Sequence, residues 1–329
     1  MKTIKWGIIG AGRIAATFAT ALKAIDDVTL VAIASRDLER AKEFAERFHI
    51  EKAYGNYKEL VEDFEIDVIY IATPHSEHKA NAILCITNGK AVLCEKPFTV
   101  NRQEAQFLID LAKEHNVFLM EAMWTKFLPV TQVVKNWIKD KRIGEVNHVN
   151  INMSYKTKFD INSRLFNPDT AGGALLDIGV YPITYVIHLL NKLPDQVVSS
   201  AIIGESHVDE QNAIIFRYTE DILATLNLSI SAEIGNEAII IGDKGKIVIP
   251  TFWKAESAEL FDEDGNLFET ISIPFKCNGY EFEAEEVNRC LREGRKESEE
   301  NPLSDTLNII KVMDDIRADW GLKYPQEGI

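Results

Sequence analysis

The sequence predicts an α/β chain in two parts: a doubly wound parallel sheet, then an α+β domain built on a large, mostly antiparallel open sheet. Three observations predict it. Up to about residue 120, short apolar runs alternate with amphipathic helical stretches. After Trp124 that rhythm gives way to long stretches of period two. The first apolar run also leads straight into a glycine-rich turn. Alternating strand and helix patterns argue for parallel strands with helices on both faces. Period-two stretches argue for antiparallel strands with one solvated face.

The strands of the first part read IKWGII, VTLVAIA, DVIYIAT, AVLCEK and VFLME, with helices such as LERAKEFAERFH and QEAQFLIDLAKEH between them. The first strand runs into Gly10-Ala-Gly12-Arg13-Ile14-Ala15, which opens a helix. Gly10 permits the tight turn, Gly12 lets backbone approach a phosphate, and the helix start offers unpaired N–H groups and a positive dipole end. Ala15 is small enough for the helix to lie close to the strand. This is the Rossmann fingerprint of a dinucleotide-binding unit. Asp37 can cap the second helix, and Asn101 followed by Glu104 resembles a capping box.

In the second part, helices are expected around Leu128–Lys139 and Leu175–Leu190. Val146–Lys156 and Ile222–Ala232 alternate as strands, with Asn147, Asn150 and Asn152, or Thr225, Asn227 and Ser229, at polar positions. Hairpins are expected at Asp243-Lys-Gly245 and at Asp262-Glu-Asp-Gly265. Arg292–Glu300 reads as a charged, solvated segment. A last amphipathic helix covers 302–320 and can pack back on the first domain. The expected division is a dinucleotide-binding domain over 1–121 and a substrate-binding and oligomerisation domain over 122–329.

The 329 residues suffice for two cores. Hydrophobic residues at 46% and charged residues at 26% fit a soluble globular chain. A net charge of −15 makes nucleic acid and anionic membranes poor partners. An anionic cofactor must therefore be held by a local arrangement working against the global field. Cys85, Cys94, Cys277 and Cys290 form no C-x-x-C pair and have no histidine cluster nearby, so reduced cysteines and no metal site are expected. The first strand begins within a few residues of Met1, leaving no room for a signal peptide, and no apolar stretch of bilayer-spanning length is expected. These readings predict a cytoplasmic protein.

The second strand ends in Ser35-Arg36. NAD-binding units usually carry an acidic residue there for the ribose 2′-OH. A hydroxyl and a guanidinium suit a 2′-phosphate instead. Asp37 could turn toward the ribose, but helix capping is its better job. NADP(H) is favoured over NAD(H).

Two further segments carry chemistry. Cys94-Glu95-Lys96-Pro97 follows a strand at the carboxyl edge of the parallel sheet, where ligands bind. Gly172-Gly173-Ala-Leu-Leu-Asp177-Ile-Gly179-Val-Tyr181 opens a helix of the second part. With the glycine fingerprint, these resemble the glucose–fructose oxidoreductase / inositol dehydrogenase / MocA family of NAD(P)-dependent oxidoreductases, essentially end to end. Glu95-Lys96-Pro97 is similar to its EKP motif, which implies that Lys96 touches both the substrate hydroxyl and the nicotinamide ribose. Asp177–Tyr181 resembles its D-x-G-x-H motif, with tyrosine at the usual histidine position. Thr184 stands where many members carry a carboxylate. These departures, and Glu121-Ala-Met-Trp124-Thr-Lys126-Phe-Leu-Pro129, are similar to the dihydrodiol dehydrogenase branch.

The resemblance implies a cofactor set of Gly10, Gly12, Arg13, Ile14, Ser35, Arg36, Thr73, Pro74, His78, Glu95 and Lys96, with Pro74 near the nicotinamide. His75 and His78 are three residues apart without a third ligand, so they read as helix-start surface histidines rather than a metal site. Trp124 is either a wall of the substrate pocket or filler between the domains. Arg164 either reaches substrate oxygens or forms a structural salt bridge.

Oxidising a secondary alcohol by hydride transfer requires loss of the hydroxyl proton. A phenol, with an ordinary pKa of about 10, becomes a useful base only beside a cation. Tyr181 as acid/base assisted by Lys96 meets that need. Asp177, four residues earlier on the same helical face, can orient Lys96 or accept from a substrate hydroxyl. The expected function is NADP(H)-dependent oxidation or reduction of a sugar, polyol or cyclic trans-diol. The rival readings are a non-catalytic NADP-sensing regulator and an NAD-dependent glycosidase of the same fold. An uncovered face on the second sheet would favour self-association as a homodimer or tetramer.

Overall fold

Strands that are apolar along their whole length, such as VIYI and AVLCE, need cover on both faces, and both are buried throughout. The computed structural model describes residues 2–328. In chain order it begins with β1 (Ile4–Ile9), α1 (Arg13–Leu22), β2 (Val28–Ala34), α2 (Leu38–Phe48), β3 (Lys52–Tyr54) and α3 (Tyr57–Glu62). There follow β4 (Val68–Ile71), α4 (His78–Thr87), β5 (Ala91–Glu95), α5 (Arg102–Glu114) and β6 (Leu119–Ala122). The strands form one parallel sheet in the order β3-β2-β1-β4-β5-β6. β3, only three residues long, is too short to show a period and is absent from the sequence reading.

The register sets Ile9 beside Ala34 and Ile71, and Ile71 beside Cys94. Gly10, Ser35, Ala72 and Glu95 therefore come at one carboxyl edge. Asp37 caps α2 as expected, and Asn101 caps α5 by accepting from the Glu104 N–H. The Glu104 carboxylate in turn accepts from the Val100 N–H at 3.4 Å rather than from Asn101.

The second sheet combines α6 (Pro129–Lys139) and α7 (Val180–Leu190) with β7 (Val146–Ser154), β8 (Gln196–Ile203), β9 (Asp209–Arg217) and β10 (Leu223–Ser229). Further along come β11 (Ala238–Gly242), β12 (Gly245–Ile249), β13 (Ser257–Asp262) and β14 (Leu267–Ser272). Its order is β14-β13-β12-β11-β7-β10-β9-β8, with β7 and β10 parallel and the other neighbours antiparallel. Both expected hairpins are present. Gly242 pairs with Gly245, and the Gly265 N–H donates to the Asp262 carbonyl. One face buries Ile214, Phe216, Leu226 and Ile240, while Val198, Ile202 and Ile215 stand exposed on the other. Ser229 is buried instead of solvated, because its Oγ accepts the N–H groups of Ser231 and Ala232.

Two expectations are corrected. The stretch Pro168–Leu190 is long and apolar enough to cross a bilayer, but it lies almost wholly buried, as a core helix does. The chain ends with α8 (Glu281–Arg292) and α9 (Leu303–Trp320). By contact, residues up to Trp124 together with Lys276–Ile310 form one compact unit, and Thr125–Phe275 with the residues from Lys311 onward form another. The segment with α8 thus belongs with the first sheet instead of following the single division drawn after residue 121. The reason is visible in the core: Asn288 of α8 accepts from the buried Trp6 indole N–H at 3.0 Å.

Candidate active site

Gly10 sits at φ +100°, and a Cβ there would come within 2.6 Å of the Ala72 carbonyl oxygen. Only glycine fits. Gly12 is different: it caps α1 with extended backbone and no side-chain hydrogen bond, and a Cβ there would meet nothing within 4 Å. The first N–H groups of a helix have no intrahelical acceptor, so those around Arg13 and Ile14 stand at the positive end of the helix dipole, beside this open space. That fits a pyrophosphate.

A cleft of about 670 Å³ continues from this turn, lined by Gly12, Arg13, Arg40, Phe44, Arg47 and Asn278. Arg40 also donates to the Ala11 carbonyl at 3.4 Å. These cations supply the local field that a chain of charge −15 needs to hold an anion. The sequence reading missed Arg40 and Arg47. Their signal was present, since Arg40, Phe44 and Arg47 recur at helical spacing on one face of α2.

At the end of β2, the Asp37 carboxylate accepts the N–H groups of Glu39 at 3.0 Å and Arg40 at 3.3 Å. It is committed to the helix. The Ser35 hydroxyl in turn accepts the Asp37 N–H at 3.3 Å. Burial pushes the Tyr57 phenol up, while the guanidinium groups of Arg36 and Arg40 pull it down, which marks both cations near this edge.

His78 and His75 are buried, correcting the reading of surface histidines. The His78 ring lies between two turns, with Nδ1 2.9 Å from the Pro97 carbonyl and Nε2 3.0 Å from the Thr73 carbonyl. A neutral ring donates to only one of them, and burial holds its pKa down at about 4. His78 therefore joins the Thr73-Pro74 turn to the Lys96-Pro97 turn. Asn81 steadies the first turn by donating to the Thr73 hydroxyl at 3.0 Å.

The Glu95-Lys96-Pro97 turn, with a cis Lys96–Pro97 bond, rests on carboxylates from below. One Glu95 oxygen accepts from the Tyr70 hydroxyl and the other from the Lys96 N–H at 3.1 Å. Glu121 accepts from the Phe98 N–H at 3.0 Å and from the Thr306 hydroxyl at 2.8 Å. Glu283 is fully buried, and among the described residues neither of its oxygens has a hydrogen-bond partner. Burial, then the charges of Glu95 and Glu121, push its carboxyl well up. Sequence reasoning did not single out Glu283; its clue is an acidic residue on the apolar stripe with Val287 and Cys290. Trp124, itself buried, stacks on Tyr280 with ring centroids 4.3 Å apart.

The second unit holds the other predicted residues. Gly173 lies at φ +108°, and a Cβ on it would be 2.3 Å from Asp209 Oδ1. Gly172 packs against the carbonyls of Arg164 and Leu165. A π-helical turn, Leu175–Gly179, follows and runs into α7. It carries Asp177, whose buried carboxylate accepts from Arg164 at 2.8 Å. Of the two roles open to Arg164, the structure shows this salt bridge. Tyr181, one residue into α7, is buried with its ring 6.1 Å from that of Trp253.

Comparison with known proteins agrees with this architecture. Residues 4–123 match the family described as "Oxidoreductase family, NAD-binding Rossmann fold", and residues 131–248 match the "GFO/IDH/MocA C-terminal domain". The chain is 38% identical over 329 residues to a trans-1,2-dihydrobenzene-1,2-diol dehydrogenase of Xenopus laevis, covering 98% of this chain and 99% of the relative. The enzyme of that name from Homo sapiens is 32% identical over 338 residues with the same coverage. Among solved structures, a 3-ketoreductase from Actinomadura kijaniata with NADP and TDP-benzene has a TM-score of 0.86 at 25% identity, covering 96% of this chain and 98% of that one. An aldose-aldose oxidoreductase from Caulobacter crescentus has a TM-score of 0.87 at 20% identity, covering 96% and 97%, which speaks to the fold alone. The chain belongs to the glucose–fructose oxidoreductase / inositol dehydrogenase / MocA family of oxidoreductases.

Proposed function

We propose that this oxidoreductase uses NADP(H) to interconvert a secondary alcohol and its ketone on a cyclic trans-diol, sugar or polyol. The observation that carries the proposal is the open helix start at Gly12, in a chain 32–38% identical to trans-diol dehydrogenases along nearly its whole length. Gly10, Gly12, Arg13 and Ile14 would hold the pyrophosphate. Ser35, Arg36 and Arg40 would hold a 2′-phosphate, since Asp37 is spent on its helix. Thr73, Pro74 and Glu95 would line the reactive end, with His78 bracing the turns behind them. The bound nicotinamide would accept or return a hydride.

The remaining steps fall to side chains. Tyr181 removes the hydroxyl proton on oxidation and returns one to the carbonyl oxygen on reduction. Lys96 supplies the positive charge that stabilises the phenolate and polarises that oxygen. Asp177, held by Arg164, orients the ammonium or a neighbouring substrate hydroxyl. Trp124 supplies an apolar wall suited to a ring-shaped substrate. The exposed apolar face of the second sheet, with Val198, Ile202 and Ile215, supports self-association as a homodimer or tetramer.

The test is nicotinamide absorbance with NADP+ or NAD+ against trans-diols, polyols and sugars. Net reduction of NADP+ with a diol or sugar is expected. Cofactor binding without turnover on any of them would favour a regulatory protein. Aglycone release without net redox would favour a glycosidase.

A further inference from the structure

The helix carrying Asp177 and Tyr181 begins without a side-chain cap of its own. Neither the π-helical turn Leu175–Gly179 nor α7 has a side-chain cap hydrogen bond from the residue preceding it. A long-range group takes that place. Asp209, at the start of β9, is fully buried, and its Oδ2 accepts the Leu175 N–H at 2.7 Å across 34 residues of sequence. The same oxygen accepts from Asn212 Nδ2 at 2.8 Å. The other oxygen lies against the Gly173 Cα, leaving room for no side chain there, and has no hydrogen-bond partner among the described residues. Tyr324 completes the clamp by donating its hydroxyl to the Gly172 carbonyl, and Arg317 fixes the segment bearing Tyr324 through Glu327.

The geometry points to Asp209 as a positioning residue: by holding the Leu175 N–H it sets where the helix begins, and so where Asp177 and Tyr181 stand. The reason is geometric. Asp177 is two residues beyond Leu175 and Tyr181 six, less than two helical turns, so a shift at the entry is passed on with little to absorb it. The Gly172-Gly173 pair follows from the same arrangement, because a side chain at 173 would collide with the Asp209 carboxylate.

This inference rests on the proposed role of Tyr181, and its test separates the two. Asp209→Ala removes the acceptor, while Asp209→Asn keeps one. In Asp209→Ala, kcat should fall about 30-fold, the scale of a small misplacement of catalytic groups. Asp209→Asn should recover most of that loss. NADPH affinity, a property of the first unit, should stay within about twofold in both. Amide hydrogen exchange at Leu175 should quicken at least about tenfold in Asp209→Ala and measurably in Asp209→Asn. A folded Asp209→Ala enzyme with wild-type kcat would overturn the inference. Should that variant not fold, Asp209→Asn decides: exchange at Leu175 quickened with kcat unchanged would overturn it equally. Tyr181→Phe turnover at the wild-type rate would instead remove the role proposed for Tyr181, whatever the exchange at Leu175.

Discussion

The Arg164 guanidinium donates to the Asp177 carboxylate at 2.8 Å, with the arginine half exposed and the aspartate buried. An ion pair with one exposed partner contributes about 1 kcal/mol or less to stability. Its proposed value is orientation of Asp177. Arg164→Ala should therefore lower Tm by only a few degrees while reducing kcat/KM about tenfold, and Arg164→Lys should recover part of that loss. Thermal melts and steady-state kinetics check this; unchanged kcat/KM in Arg164→Ala would leave the pair a surface bridge.

The proposed preference for NADP(H) rests on Arg36 and Arg40, because Asp37 is occupied by the N–H groups of α2. Arg36→Ala and Arg40→Ala should each weaken NADPH about tenfold, roughly 1.4 kcal/mol, and leave NADH nearly unchanged. Fluorescence titration with both cofactors measures it. Equal losses for the two would contradict the assignment.

The two glycines of the turn should fail differently. Gly10→Ala places a Cβ 2.6 Å from the Ala72 oxygen at a φ of +100°, so it should lower Tm by several degrees. Gly12→Val enters open space and should leave Tm nearly unchanged, yet abolish dinucleotide binding if the proposed phosphate position is right. Calorimetry with and without NADPH distinguishes the two.

Glu283 makes stability depend on pH. Its carboxyl titrates above the unfolded value, so the folded chain keeps a proton that the unfolded chain has released. That contribution is complete below the unfolded carboxylate range and is lost as pH rises through the folded value. Glu283→Gln remains neutral at every pH. The Tm of Glu283→Gln relative to wild type should therefore rise as pH increases above the ordinary carboxylate range. A difference that does not change with pH would mean Glu283 is ionised in the fold.

What could be read from sequence was whatever depends on neighbours along the chain. The caps at Asp37 and Asn101, the Gly10 turn and the hairpin at Gly245 each declare themselves within a few residues, and each is where expected. What could not be read depends on distant partners. His78 looked like a surface residue because nothing local shows that the carbonyls of Thr73 and Pro97 enclose it. Glu283 and Asp209 carry no motif, and their roles arise only when α8 and β9 bring carboxyl groups into packed cores. The return of α8 to the first unit was hidden for the same reason: its anchor is Asn288 on Trp6, 282 residues away.

The acid/base role of Tyr181 is tested most directly by single-turnover oxidation of a trans-diol by NADP+, comparing wild type with Tyr181→Phe. The account predicts a loss of at least about 100-fold in the hydride-transfer rate with NADPH affinity unchanged, the usual scale for removing a general acid or base. A Tyr181→Phe enzyme that transfers hydride within about twofold of the wild-type rate would contradict it.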